Sequence, residues 1–160
     1  MRGNPYYGSR VGLAAIVDGT SGTAAFSEWV KGSVGRGPTA RTQVYMVATY
    51  RNGGPLADID ACRSASPVIW DEKGDFWTLQ DTGRGGPYYH VMPPNQRSCS
   101  TLVDFGAVDS FIAASSLHPG GANPLLMDGS VRFVRDGVNP ALWQALGTRA
   151  GSEVIGSDAL

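Results

Sequence analysis

Histidine is scarce: His90 and His118 are the only two in 160 residues. A metallohydrolase built on several histidines is thereby excluded. Charge is thin as well, at 17% of the chain with a formal net charge of −1. No basic block occurs, so the electrostatic footprint of nucleic-acid binding is missing. Nothing approaches the roughly 18 consecutive apolar residues of a membrane span. The opening residues, Met1-Arg2-Gly3-Asn4-Pro5, have no apolar signal core behind them. From these features the chain as written is expected to be soluble and to stay in the compartment where it is made. Catalytic signatures are also lacking. There is no G-x-S-x-G elbow, and Gly32-Ser33-Val34-Gly35 has the wrong spacing for one. Neither an H-E-x-x-H pair, a P-loop nor a dinucleotide-binding glycine motif is present.

What the chain does have is apolar content (42%), 22 glycines and ten prolines. The first makes it a folded chain, and the other two call for short elements joined by many turns. A helical bundle does not fit. One domain spanning residues 1–160, strand-rich or irregular α+β in class, does.

Local patterns place the elements. Val11 to Val17 is a short apolar stretch, broken by six turn formers from Asp18 to Thr23. Gln43 to Tyr50 is β-branched and aromatic and predicts a strand; Val68 to Trp70 and Phe76 to Leu79 predict others. Leu56 to Ser66 is ambiguous. Pro93-Pro94 lacks ladder donors and must lie outside any central strand. Ser110 to Ser116 reads as a strand entering a loop. Ala122–Met127, Asp128-Gly129 and Ser130–Arg135 predict a hairpin closed by a two-residue type I′ turn. Val131 and Phe133, with Leu125 and Met127, are then expected to face the core, and Arg132 and Arg135 the solvent. Asn139 as N-cap, Pro140 at the first position and Gly147 beyond the end predict a short helix with Leu142, Trp143 and Leu146 as its apolar stripe.

Cys62 and Cys99, 37 positions apart, leave two readings open: a pair of buried thiols, or one disulfide closing a long loop.

Several separated segments resemble one family, the bacterial prepilin-type proteins marked by H-x9-D-G. The strongest match runs from Ser115-Ser116-Leu117-His118-Pro119-Gly120-Gly121-Ala122-Asn123 through Met127-Asp128-Gly129-Ser130 to Phe133. Asp18-Gly19-Thr20-Ser21 with Glu28, His90 to Asn95 with Cys99, and Trp143 with Leu146 to Gly151 add to it in order. The resemblance implies a pilin-like fold, a small antiparallel β-sheet with short helices and many loops. It further implies export to the cell surface and, as partners, other pilin-like subunits or surface proteins. In that family a long N-terminal helix packs on the sheet; no such helix is encoded here, so assembly through it is not expected of this chain as written.

Candidate chemistry centres on His118 and Asp128. His118 could serve as base or ligand, or could simply anchor its loop by hydrogen bonds. Asp128 could join it, or could only shape the turn. A fully extended chain would hold the two about 30 Å apart, so the Pro119-Gly120-Gly121 kink must fold back for them to meet. Related pseudopilins bind calcium, which takes six to eight oxygen ligands. The loop aspartates Asp18, Asp58, Asp60, Asp104, Asp109, Asp128 and Asp136 are the available donors, with Asp18, Asp128 and Asp136 the nominated metal ligands. No D-x-D-x-D-G loop is present. Three functional expectations follow: a calcium-stabilised, pilin-like structural or interaction domain; a calcium-dependent hydrolase of an ester or lactone on the same scaffold; or a carbohydrate- or protein-binding module using exposed aromatics such as Tyr6, Tyr7, Tyr88 and Tyr89.

Overall fold

The computed structural model describes residues 11–33, 39, 41–47, 55–66, 68–76, 78, 84–85, 88–100, 110–153 and 155. Two short 3-10 turns, Leu13–Ala15 and Thr20–Gly22, lead into β1 (Ala24–Phe26). Then come β2 (Val44–Met46), α1 (Pro55–Arg63), β3 (Val68–Trp70), β4 (Ser98–Ser100), β5 (Ser110–Phe111), β6 (Gly121–Ala122), β7 (Leu125–Leu126), β8 (Val134–Arg135) and α2 (Pro140–Leu146). The class is small α+β with many loops, as the glycine and proline content demands.

The strands make three small sheets. The largest has the order β3-β2-β4-β5; β1 pairs with β7, and β6 with β8. All pairings are antiparallel except β2 with β4, which is parallel in the register Val44↔Ser98, Tyr45↔Cys99, Met46↔Ser100. Parallel neighbours need a long crossover. Here the crossover carries α1, and the Cys62–Cys99 disulfide ties α1 to β4. The open question about the two cysteines is thus resolved in favour of the bridge. Leu56–Ser66, ambiguous by pattern, is largely helix because Pro55 can start one and Ile59 and Cys62 fall three apart on its buried side. Around the bridge gather Val47, Ile59, Ala65, Met92 and Ala113. A second cluster, Ala114, Val134, Trp143 and Leu146, docks α2.

α2 begins and ends as expected. The Asn139 side chain accepts the Ala141 N–H at 2.9 Å, Pro140 opens the helix, and Trp143 and Leu146 are buried. Two other expectations need correction. Phe76–Leu79 is not a strand at its described residues, since Phe76 is irregular and Thr78 lies in a turn. The Phe76 N–H donates to the Arg84 carbonyl and Arg84 grips Asp75 through two bonds, which closes a loop here in place of a ladder.

The hairpin is the other correction. Gly129 N–H donates to Leu126 O at 3.0 Å and Leu126 N–H to Ser130 O at 2.8 Å, so the loop is Met127-Asp128-Gly129, three residues and not two. Gly129 alone in this turn takes positive φ (87°). Asp128 keeps its ordinary backbone because its Oδ1 accepts from both the N–H and the hydroxyl of Ser130. This is a type I turn followed by a glycine bulge, and a one-residue slip exchanges the two faces of a strand. Hence Leu126 and Val134 are the buried residues, while Val131 and Phe133 lie outside at 61% and 46% exposure.

Candidate functional site

The segments that resemble the prepilin-type family meet in space. Asp18 lies at the end of the first 3-10 region, and its two carboxylate oxygens accept from the Thr148 hydroxyl and from the Gly151 and Ser152 N–H groups at 2.8–2.9 Å. The Gly151 bond leads in holding its carboxyl below the usual carboxylate range. Thr23 Oγ1 donates to the Gly19 and Thr148 carbonyls. The N–H groups of Met127 and Asp128 donate to Thr23 O and Thr20 O, laying the hairpin turn against the same segment. Glu28 Oε1 accepts from both the backbone and side-chain nitrogens of Asn123 at 2.9 Å.

Asn95 is the second tie. It sits at φ 60°, a left-handed position that asparagine tolerates better than most residues. Its Oδ1 accepts the Ser116 N–H, and its Nδ2 donates to Gly121 O and to Asp136 Oδ1. No local pattern singles out Asn95, which stands within the resembling His90 to Asn95 loop. Gly120 (φ 82°) turns the chain, and a Cβ on Gly121 would come within 2.3 Å of Val134 O, so both glycines after Pro119 serve the β6–β8 approach.

His118 stands apart from this knot, exposed in its loop, with its own N–H donated to Ser116 Oγ at 3.0 Å. Among the described residues no hydrogen bond or ion pair joins it to Asp128, whose carboxylate is engaged by Ser130. Ser130 also leads in lowering the Asp128 pKa. His118 instead lines an open groove of about 490 Å³ with Glu28, Trp29, Val30, Lys31, Ser115, Ser116 and Leu117. The walls are two extended segments, joined where Ser115 N–H donates to Glu28 O and Val30 N–H to Ser115 Oγ.

The nominated metal ligands are spread out. Asp18 holds the Thr148–Ser152 segment, Asp128 the turn, and Asp136 the Asn95 amide. Among the described residues no three His, Cys, Asp or Glu side chains gather as a metal-holding group. These three aspartates therefore do not form one cage with each other. Asp60 is exposed and lies 3.6 Å from Arg63; Asp104, Asp109 and the Asp58 side chain fall outside the described residues. So do Tyr6 and Tyr7. Tyr88 and Tyr89 are half-buried, not free surface aromatics: Tyr88 OH meets His90 Nδ1 at 2.9 Å, and Tyr89 packs edge-on against Phe111.

The surface offers one further feature. β7 lies between β1 and the 130–132 segment, and Leu125 pairs with Phe26 on one side and with Val131 on the other. Residues paired this way carry their side chains on one face. Phe26 is 69% exposed on that face, and Phe133, two positions beyond Val131, extends it. No helix among the described residues is long and apolar enough to cross a membrane.

The fold and this surface thus define a small, disulfide-tied α+β structure in which Asp18, Glu28 and Asn95 hold separate chain segments together. The family described as "Protein of unknown function (DUF1559)" matches residues 2–141, and the chain belongs to that family. No curated protein and no solved structure matches it.

Proposed function

We propose that this is a pilin-like structural or interaction domain that docks through its β1–β7 face onto another pilin-like subunit, a second copy of this chain being the simplest such partner. The observation that carries this reading is the apolar row Phe26–Leu125–Val131 with Phe133 at its end, on one sheet face and open to water. Scattered exposed apolar residues need no explanation, but a row in register across three chain segments does. The use of His118 and Asp128 as loop and turn residues favours architecture over a reaction. An exported location agrees with the disulfide, since such bonds persist in oxidising compartments.

Sedimentation equilibrium tests the proposal. Wild type is expected to self-associate with rising concentration, and the Phe26→Ser/Val131→Ser double variant to remain monomeric with unchanged circular dichroism. A wild type that stays monomeric to millimolar concentration, or a variant that associates equally, would count against it.

A further inference from the structure

The groove of about 490 Å³ between the two extended segments is bordered by donors that the fold leaves unspent. Ser115 and Ser116 line it, at only 1% and 2% exposure. Ser115 Oγ accepts from the Val30 N–H, and Ser116 Oγ accepts from the His118 N–H. A hydroxyl also carries a hydrogen, and neither serine gives its own to an acceptor among the described residues. Buried donors are ordinarily partnered.

Lys31 stands exposed on the same groove. Its ammonium makes no hydrogen bond or ion pair among the described residues. Glu28 is the carboxylate of the lining, and Asn123 engages it with two bonds to Oε1. Trp29, Val30 and Leu117 make the apolar part of the walls, Leu117 being 82% exposed. Two hydroxyl hydrogens and one ammonium thus border an otherwise apolar groove.

We propose that this groove binds an apolar monocarboxylate. Its carboxylate takes the hydroxyl hydrogens of Ser115 and Ser116 and the Lys31 ammonium, and its hydrocarbon lies along Trp29, Val30 and Leu117. A carboxylate only accepts, and its roughly four lone-pair sites suffice for all three donors. Bonds of this charge-assisted kind are about twice as strong as neutral ones. A neutral polyol would leave Lys31 without a counter-ion, and a metal cation would be repelled by it. The groove's volume falls within the range of about 300–1,000 Å³ usual for small-molecule sites. The site is independent of the contact proposed for the β1–β7 face, because Phe26, Leu125, Val131 and Phe133 do not line it.

The test is titration of 15N-labelled protein with hexanoate and, in parallel, with hexanamide, which keeps the chain and removes the charge. Hexanoate is expected to shift the backbone amide resonances of Lys31 and of Ser115 to His118 along one saturable curve. Hexanamide is expected to bind about tenfold more weakly. Lys31→Gln, a change at an exposed position, should weaken hexanoate by about tenfold and leave hexanamide unaffected. Shifts that do not saturate, saturable shifts confined to residues outside the groove, equal affinity for acid and amide, or full hexanoate affinity in Lys31→Gln would each overturn the site.

Discussion

Asn95 holds three chain segments with one amide, and its removal should be felt well beyond its own loop. Asn95→Ala leaves the Ser116 N–H, the Gly121 carbonyl and Asp136 without these partners, and places a Cβ-bearing residue at φ 60° with no side-chain bond to compensate. A loss of about 2–4 kcal/mol in urea unfolding is expected, while Asp136→Asn, which keeps an oxygen for the amide, should cost less. His90 contributes differently. Its ring stacks on Trp143 at 3.7 Å, and burial drives its pKa from 6.5 to about 3. The folded state holds it neutral, so stability is full above 6.5 and falls as pH drops from there toward 3. Lys73, also lowered, is protonated in both states below about 7 and adds no slope in that window. Unfolding free energies at pH 6.5 and 5 should therefore differ by roughly 2 kcal/mol in wild type, and by much less in His90→Phe, which keeps the stack. Neither role is legible in the sequence. The Asn95 amide reaches positions 21 to 41 residues away and the His90 stack one 53 residues away, and periodicity reports only neighbours.

The elements were readable where their signals are local. Asn139, Pro140 and Gly147 mark α2 because a capping bond and a missing N–H act within one turn. The hairpin shows the limit of such reading. Asp128-Gly129 does mark the turn, but whether the loop holds two residues or three depends on which carbonyl Leu126 N–H reaches, and that choice reverses the faces. Replacing Gly129 by Ala should cost about 1–2 kcal/mol in thermal unfolding, and Gly129→Asn less, because only the positive φ is at stake there. The parallel pairing of β2 and β4 is set by a contact far along the chain, and the disulfide fixes it. Closing a loop of this length contributes about 4 kcal/mol by chain entropy. Reduction, or Cys62→Ser/Cys99→Ser, should lower stability by nearly that amount in guanidinium titrations; an unchanged midpoint would show that the strand pairing does not depend on the bridge.

At the scale of the whole molecule, the segments that resemble the prepilin-type family and the surface play separate parts. Asp18, Glu28, Asn95, Asn123 and Thr148 spend their polar atoms inside the domain, tying its first described segment to its last. What faces outward over β1 and β7 is apolar. That face was hidden from the sequence because Val131 and Phe133 alternate as core residues do, and only the glycine bulge turns them out. This face is proposed to meet another pilin-like subunit. A photo-crosslinking amino acid placed at Val131 in the native cell, with the exposed Ala141 on α2 as control site, tests it most directly. Adducts to a pilin-like subunit are expected from position 131 and none from 141. No adduct from 131, or equal capture from both positions, would contradict it.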